Sequence, residues 1–420
     1  MSLLRRSVLA TALCGTVTTV SAAAPVVLPP DNALRPDQLG IVINDDDPLS
    51  VQIGNYYRER RNIPAANVVH LRFPTQAVAI SPGVFAVQKK RLDRRMPESV
   101  QALALTWASP YRVGCMSITA AFAFGYDQRY CAKGCVLTRM SDYYDSGSRR
   151  PYDGLHIRPT MMIAARDLQD ASDLIERGIA ADGSLPTGAA YLLDTSDKAR
   201  SVRSRFFSAA QRAFNGVLPV HVLHANTLKN APDVMFYFTG LARVPDIASN
   251  HFLPGAVADH LTSFGGALTD SSQMSAMRWL EAGATGSYGT VVEPCAFTQK
   301  FPNPVLMMQH YLAGETLIEA YWKSVAMPGQ GVFIGEPLAR PYGAYAVTRH
   351  NGHWYVEGPA LRAGSYTLYG ADRKDGPFQY VASGLQVDAL TRSLELPRPL
   401  RAFYKVQRIE TGINLIPTAF

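Results

Sequence analysis

The chain reads Asp233-Val-Met-Phe-Tyr-Phe-Thr-Gly240, then Pro254-Gly-Ala-Val-Ala-Asp-His-Leu-Thr-Ser-Phe-Gly-Gly266, then Gly283-Ala-Thr-Gly-Ser-Tyr-Gly-Thr-Val-Val-Glu-Pro294. The first block is an apolar strand that ends in Thr239-Gly240, and the second carries the polar run Asp259-His260-Leu261-Thr262-Ser263. In α/β proteins, the loops that follow the carboxyl ends of parallel strands usually hold the functional side chains. We therefore expect a functional site to lie where these strands end.

Apolar strands and helical patterns alternate on both sides of these blocks. The pattern predicts buried strands at residues 39–44, 67–71, 102–106, 189–193, 218–223, 234–238 and 284–292. It predicts helices at 49–61, 168–181, 199–214, 274–282 and 306–325, the first starting at Asp47-Pro48, and it leaves 256–264 open as helix or strand. This alternation predicts an α/β fold in which helices cover a mostly parallel sheet.

The pattern changes to β near the end of the chain. Asn351-Gly352 lies between two apolar runs and is a strong hairpin signal. Further strands are predicted at 365–371, 378–383, 393–396 and 402–408. We expect an α/β domain at residues 24–337, with a long insertion at about 107–160, followed by a small C-terminal antiparallel β-sandwich at 338–420.

Residues 1–23 have the features of a signal peptide. Arg5-Arg6 precedes an apolar run, and the small residues Ser21-Ala-Ala23 suit cleavage before Ala24. The arginine pair fits twin-arginine export, and the ordinary Sec route fits as well. No later apolar run is long enough to span a bilayer. The sequence predicts a periplasmic or secreted protein.

Four cysteines remain after that cleavage, namely Cys115, Cys131, Cys135 and Cys295. In an oxidising compartment, an even number predicts two disulfides, with three possible pairings. A metal site would need a second close pair or nearby histidines, so no metal is expected. The alternative for Cys295, which follows Glu293-Pro294, is a free nucleophile.

The charge and the motifs of the sequence argue against a nucleic-acid partner. The formal net charge is +7, of which Arg5 and Arg6 contribute two, and no nucleic-acid motif accompanies it. Basic clusters at 89–95 and 200–205 suit an acidic glycan or lipid surface, or are simply solvated helix faces. The glycine-rich run 283–289 lacks the lysine and the spacing of nucleotide-binding loops, so no cofactor is expected.

Several residues near strand ends are candidates for chemistry. Ser263 is the candidate nucleophile, with His260 or His251 as its base. Asp259 and His260 are adjacent, and neither a strand nor a helix places adjacent side chains on one face. The candidates for binding, which ordinary turns and caps explain equally well, are Asp45, Asp46, Asp259, Glu293 and Glu336.

A set of short motifs runs through the α/β part: Leu39-Gly-Ile-Val-Ile-Asn44, Asp47-Pro-Leu-Ser50, Arg60-Arg-Asn-Ile-Pro64, Trp107-Ala-Ser-Pro-Tyr-Arg112, Pro254-Gly-Ala256, Gly283-Ala-Thr-Gly286, Glu293-Pro294 and Gly335-Glu-Pro-Leu-Ala-Arg-Pro341. Together they resemble an uncharacterised family of exported bacterial proteins found in organisms that carry the exosortase protein-sorting system. That family has no assigned reaction.

The order of strand, loop, second block, helix and Gly-Ala strand is also similar to gingipain-type cysteine peptidases of the caspase-like fold. In those enzymes a His-Gly ends one strand and a Cys ends the next. The matching positions in this sequence are Thr239-Gly240 and Ser263. The resemblance therefore implies a caspase-like scaffold that lacks the His/Cys pair.

Three hypotheses follow. The first is an exported cell-envelope protein with a non-catalytic or catalytically altered peptidase-like scaffold, linked to exosortase and exopolysaccharide biology. The second is an active peptidase or esterase that uses Ser263 or Cys295 with His260 or His251. The third is a module that binds an envelope polysaccharide or protein through the aromatic insertion at 107–144.

Overall fold

The computed structural model describes residues 23–269 and 271–409. Apart from Ala23, the predicted signal peptide lies outside these residues. Within the described ranges, no helix is both long enough and apolar enough to cross a membrane.

The larger part of the chain alternates strands and helices. Its strands are Val26–Val27 (β1), Leu39–Asn44 (β2), Val68–Leu71 (β3), Ala79–Ile80 (β4), Ala102–Leu105 (β5), Arg112–Val113 (β6), Met116–Ser117 (β7), Thr160–Met162 (β8), Ala189–Leu193 (β9), Val220–Leu223 (β10), Val234–Thr239 (β11), Phe252–His260 (β12), Gly286–Thr290 (β13) and Gly331–Gly335 (β14). Its helices are Pro48–Arg60 (α1), Pro82–Arg95 (α2), Ile118–Phe124 (α3), Pro151–Leu155 (α4), Leu168–Ala181 (α5), Phe207–Ala213 (α6), Met277–Glu281 (α7), Pro304–Leu312 (α8) and Leu317–Ser324 (α9).

A ten-stranded sheet in the described part of the chain has the order β10-β9-β11-β12-β13-β14-β8-β5-β2-β3. The first five strands in this order are parallel to one another, as are the last five, and β13 and β14 pair antiparallel. The prediction of an α/β fold with a large, mostly parallel sheet is confirmed. The sequence pattern does not predict β14, which pairs with β13 where the two halves meet, or its neighbour β8.

Because β13 and β14 pair antiparallel, the strands of the two halves run in opposite directions. Gly286 at the start of β13 pairs with Gly335 at the end of β14, and Thr290 pairs with Gly331. The carboxyl ends of the two halves therefore lie at opposite edges of the sheet. We call the ends of β2, β3, β5, β8 and β14 the first carboxyl edge, and the ends of β9 to β13 the second carboxyl edge.

Burial explains which apolar runs form the central strands. Every residue of β2 and β11 is buried, as expected for strands covered on both faces. The segment that the sequence left open as helix or strand is strand up to His260 and a turn from Ser263. Six consecutive buried residues in β12, from 255 to 260, leave no polar face for a surface helix.

The helices start and stop where their capping residues allow. The Asp47 side chain accepts a hydrogen bond from the Leu49 N–H at 3.0 Å, and Pro48 occupies the first helical position, as predicted. The predicted helix 306–325 is wrong as a single element. Gly314, at φ +85°, separates α8 from α9, and Thr316 with Glu319 forms a capping box that starts the second helix.

The C-terminal strands are Ala346–His350 (β15), His353–Glu357 (β16), Gly364–Ala371 (β17), Gln379–Val387 (β18), Ser393–Glu395 (β19) and Phe403–Arg408 (β20). They form sheets of order β15-β16-β19 and β1-β20-β17-β18, and residues of both sheets share one hydrophobic cluster. The predicted hairpin at Asn351-Gly352 is present, since His350 pairs with His353. The face-to-face packing of a sandwich stays a prediction.

The start of the described chain belongs to the same β unit. β1 pairs in parallel with β20, and Val27 lies in the hydrophobic cluster that the two small sheets share. The predicted division at residues 337 and 338 therefore leaves β1 on the other side of the boundary from its partner strand.

The insertion at 107–160 is fixed by two disulfides. Cys115 pairs with Cys131 inside the insertion, and Cys135 pairs with Cys295 in the loop after β13. The predicted disulfides are thus present, and the neighbouring Cys131 and Cys135 have different partners. The insertion also supplies buried side chains, among them Trp107, Tyr130 and Tyr143.

Candidate functional site

The second carboxyl edge holds most of the residues predicted for catalysis. Thr239 ends β11 and His260 ends β12, and the two residues are register partners. Phe238 and Asp259 are partners one step earlier. Because side chains alternate along a strand, Asp259 and His260 point to opposite faces of the sheet. They therefore cannot act as two parts of one triad.

His260 is held inside the protein by both ring nitrogens. Its Nδ1 accepts a hydrogen bond from Trp279 Nε1 at 3.0 Å, and its Nε2 donates to the Met274 carbonyl at 3.0 Å. The residue is 1% exposed, and burial lowers its pKa to about 3. The neutral ring has one lone pair, and Trp279 already occupies it.

Asp259 forms a buried ion pair. Its Oδ1 lies 2.6 Å from Arg203 Nη1, and both side chains are almost completely buried. Burial raises the pKa of Asp259 to about 6, although the Arg203 charge opposes that rise. Arg203 also donates from Nη2 to the Thr239 carbonyl at 2.9 Å. The ion pair therefore connects the ends of β11 and β12 inside the protein. Neither charge is exposed to a ligand.

A loop covers the end of β11. Thr195 Oγ1 donates to the Gly240 carbonyl at 2.7 Å, and a Cβ on Gly240 would lie 2.0 Å from the Arg200 carbonyl oxygen. Only glycine fits such a close approach. Arg200 Nε then donates to Thr262 Oγ1 at 3.1 Å. Thr239 and Thr262 are 2% and 1% exposed, so the edge is closed above these positions.

Ser263 is not hydrogen-bonded to either of its candidate bases, His260 and His251. It lies half-buried in the turn after β12, and its carbonyl accepts a hydrogen bond from Thr290 Oγ1 at 2.9 Å. Among the described residues, no histidine hydrogen-bonds to Ser263. His251 precedes β12 and contacts the Pro232 carbonyl, at the far end of a strand that spans about 26 Å.

Cys295 has no free thiol, because it forms a disulfide with Cys135. The hypothesis that Cys295 is the nucleophile is therefore wrong for the disulfide-bonded protein. The loop after β13 is held further by Glu293, whose Oε1 accepts a hydrogen bond from the Cys295 N–H at 2.8 Å.

The acidic binding candidates do not share one cleft. Asp45 and Asp46 lie at the first carboxyl edge, each in a 2.6 Å contact with a basic side chain, His70 and Arg72 respectively. Glu293 follows β13 and Glu336 follows β14, and these strand ends lie about 13 Å apart along the antiparallel pair. Glu293 and Glu336 therefore do not line one cleft.

Glu336 is a structural residue. It is completely buried and accepts hydrogen bonds from Tyr57 OH at 2.5 Å and from Arg61 Nη2 at 2.6 Å. Arg61 also contacts Asp182. This network joins α1 to the end of β14, and the complete burial of Glu336 keeps its carboxylate from a ligand.

A second buried charge cluster joins α8 to α9. His310 contacts Glu315 and Asp145 at 3.1 Å each, and Lys323 lies 2.8 Å from Glu315. Burial disfavours the Glu315 charge, but His310 and Lys323 outweigh it and lower its pKa to about 2. In the described ranges, no group of three or more His, Cys, Asp or Glu side chains is arranged to hold a metal ion.

A groove runs along α2, and the sequence predicts only some of the residues that line it. It has a volume of about 680 Å³ and is lined by Pro82, Gly83, Phe85, Ala86, Lys89, Lys90, Asp93, Arg94 and Tyr126. The basic run 89–95 predicts its cations, whereas Tyr126 comes from the insertion and no local pattern links it to α2. This groove is open to solvent, unlike the closed second carboxyl edge.

No family model and no curated protein matches the sequence. One solved structure, described as that of a protease, is similar with a TM-score of 0.44 at 10% identity, covering 90% of this chain and 92% of that chain. A complex of the Porphyromonas gingivalis RgpB pro- and mature domains is similar with a TM-score of 0.42 at 8% identity, covering 89% and 94%. These are similarities of the backbone alone, and they leave the chemistry of this chain open.

Proposed function

We propose that this chain is an exported cell-envelope protein whose peptidase-like scaffold does not catalyse a reaction and which acts by binding. The observation that carries the proposal is the state of His260, whose ring nitrogens are both bonded inside the protein. A serine hydrolase needs a general base with a free lone pair within hydrogen-bond reach of its nucleophile. Ser263 has no such histidine among the described residues.

The closed second carboxyl edge supports the same conclusion. Thr239 and Thr262 are buried, and the loop that carries Arg200 lies over them. A substrate could reach these positions only after that loop had moved, which would break the Thr195–Gly240 and Arg200–Thr262 hydrogen bonds.

The proposed location rests on the cysteines and on the start of the sequence. Both disulfides fit an oxidising compartment, and residues 1–23 have the features of an export signal. The motif resemblance motivates the link to exosortase-carrying bacteria and to exopolysaccharide. Deletion of the gene in its source bacterium should therefore change secreted exopolysaccharide. Recovery of the protein from the cytoplasm with free thiols would contradict the location.

The proposed binding surface is the groove along α2. Trp107, Tyr130 and Tyr143 of the insertion are buried and stabilise the core, so they are not available to a partner. Tyr126 reaches the groove, which basic residues of α2 also line. The binding hypothesis therefore depends on Tyr126 and α2 together, and not on the whole aromatic insertion.

The test of the non-catalytic scaffold is a turnover assay. The mature protein, with both disulfides intact, is incubated with peptide and ester libraries beside a Ser263→Ala variant. We expect neither protein to release product above the buffer rate. Turnover by the wild type that is lost in the Ser263→Ala variant would overturn the proposal.

A further inference from the structure

We propose that the α2 groove binds an acidic polysaccharide, with Lys90 and Arg94 meeting its carboxylates and Tyr126 contacting a sugar ring. The inference rests on the proposed binding function and names its ligand class. It is carried by three features of the groove: its unpaired charge, the spacing of its cations and the fixed position of its aromatic wall.

The charge of α2 is largely uncompensated. The helix carries five basic side chains and one carboxylate, Asp93. Asp93 pairs with Lys89 at 2.6 Å and also lies 3.9 Å from Arg158. Within the described part of the chain, Lys90 and Arg94 have no carboxylate partner. A concave surface concentrates the field of such charges, so the groove attracts anions.

The spacing of the two unpaired cations suits a polymer that carries negative charges at regular intervals. Lys90 and Arg94 are four residues apart, so they lie on one side of α2 with about 6 Å between their Cβ atoms. Both line the groove and are exposed. An extended polymer with one carboxylate on each sugar can place successive charges against them. The groove volume of about 680 Å³ is in the range that small ligands occupy.

Tyr126 is held in place beside Pro82, at the start of α2, where it lines the groove. Its hydroxyl lies 3.3 Å from Cys115 Sγ, and Cys115 is bonded to Cys131. A Cβ on Gly114 would lie 3.1 Å from the Tyr126 ring, so the backbone packs closely against it. A fixed aromatic ring offers an apolar surface to the C–H face of a sugar at little entropic cost.

A lipid surface fits the same residues less well. Binding to a bilayer places cations and apolar side chains on one outward face of a helix. Val84 and Val87 are the exposed apolar residues of α2, at 45% and 68% exposure, and neither lines the groove. Lys90 and Arg94 do line it, so they face a ligand that enters the groove and not a flat surface.

The experiment measures binding of the disulfide-bonded mature chain to alginate oligomers by calorimetry, with dextran of similar length as the neutral probe. The test variant is Lys90→Gln/Arg94→Gln. The matched control is Arg205→Gln/Arg212→Gln, which removes the same charge from another exposed region. We expect the dissociation constant for alginate to rise about tenfold in the test variant and to change less than about twofold in the control. Added salt should weaken binding, and dextran should not bind.

Three results would overturn the inference. The first is alginate binding that both double variants weaken equally, because net charge would then explain it. The second is absence of alginate binding together with capture by phosphatidylglycerol vesicles, which would assign the surface to lipid. The third is absence of binding to either probe. None of these results concerns turnover, so the non-catalytic proposal stands or falls separately in the Ser263→Ala assay.

Discussion

The protonation of single buried residues decides what the second carboxyl edge can do. His260 lies at the end of a strand beside a turn serine, a place where a base would be useful. Its hydrogen bonds to Trp279 and Met274 instead fix one neutral tautomer, with the proton on Nε2. The role of His260 is to connect β12 to the segment that leads into α7.

This role predicts how His260 titrates. Burial lowers its pKa to about 3, so we expect the ring to stay neutral with the proton on Nε2 from about pH 8 to about pH 4. The ¹⁵N chemical shifts of histidine-labelled protein measure both the charge and the tautomer. A His260→Gln variant assigns the resonance. Titration of this ring near neutral pH would show a solvent-accessible base and contradict the buried arrangement.

At the scale of elements, buried ion pairs connect α8 and α9 across the break between the two helices. Gly314 ends α8, and Glu315 then lies between His310 and Lys323. Lys323 is 1% exposed and Glu315 is 13% exposed, so each charge depends on the other. Removing one partner of a buried pair leaves the other charge without compensation.

We expect Glu315→Gln to lower the free energy of unfolding at neutral pH by about 3–5 kcal/mol, because Lys323 loses its buried partner. The pKa of Glu315 falls from 4.5 to about 2 on folding, so its contribution is present above pH 4.5 and is lost as the pH falls toward 2. The difference between the wild type and the variant should therefore shrink over that window. Urea unfolding at several pH values measures it.

Glu59→Gln is the matched control, since the Glu59 side chain is 68% exposed and, among the described residues, its carboxylate pairs only with its neighbour Arg58. This change should cost less than about 1 kcal/mol at any pH. An equal loss in both variants would mean that the Glu315 pair does not stabilise the hairpin.

The elements also show what the sequence can predict. Continuous apolar runs identify β2, β5, β9 and β11, because strands buried on both faces need no polar alternation. The run that forms β14, Gly-Val-Phe-Ile-Gly, is too short and too glycine-rich to distinguish from a turn. β8 lies at the edge of the irregular insertion and has only three residues. The break between α8 and α9 depends on one glycine and a capping box inside an apolar pattern.

The candidate site is harder to predict than the strands. The sequence places Thr239, His260 and Ser263 near one edge, which is correct. It does not reveal that Trp279 and Met274 occupy both nitrogens of His260, since those contacts join residues 14 and 19 positions away. The groove likewise depends on Tyr126, which the Cys115–Cys131 disulfide positions against α2. Long-range contacts of this kind leave no periodic signal in the sequence.

At the scale of the whole molecule, the segment before β2 joins the two structural units. β1 adds a strand to the C-terminal sheet, and Val27 is 9% exposed in its hydrophobic cluster. A few residues later, Asn32 Nδ2 donates to the Ala313 carbonyl at 2.7 Å, and the Leu34 N–H donates to Glu319 Oε2 at 3.0 Å. Leu34 is buried in the core of the α/β part. One short segment therefore contributes to a hydrophobic core in each of the two units.

We expect a chain that begins at residue 36 to lose the coupling between these units. Removal of β1 uncovers the edge of β20, and the loss of Leu34 leaves Glu319 with one donor fewer in a buried site. Trypsin should then cut near Arg340 and Arg349 and release the C-terminal sheets faster than from a chain that begins at residue 24. Calorimetry should show two unfolding transitions in place of one. A Val26→Ala variant of the longer chain is the control, because Val26 is 47% exposed and lies outside both cores. If the two chains unfold in the same single transition and resist trypsin equally, the segment does not couple the units, and contacts made after β14 must hold them together.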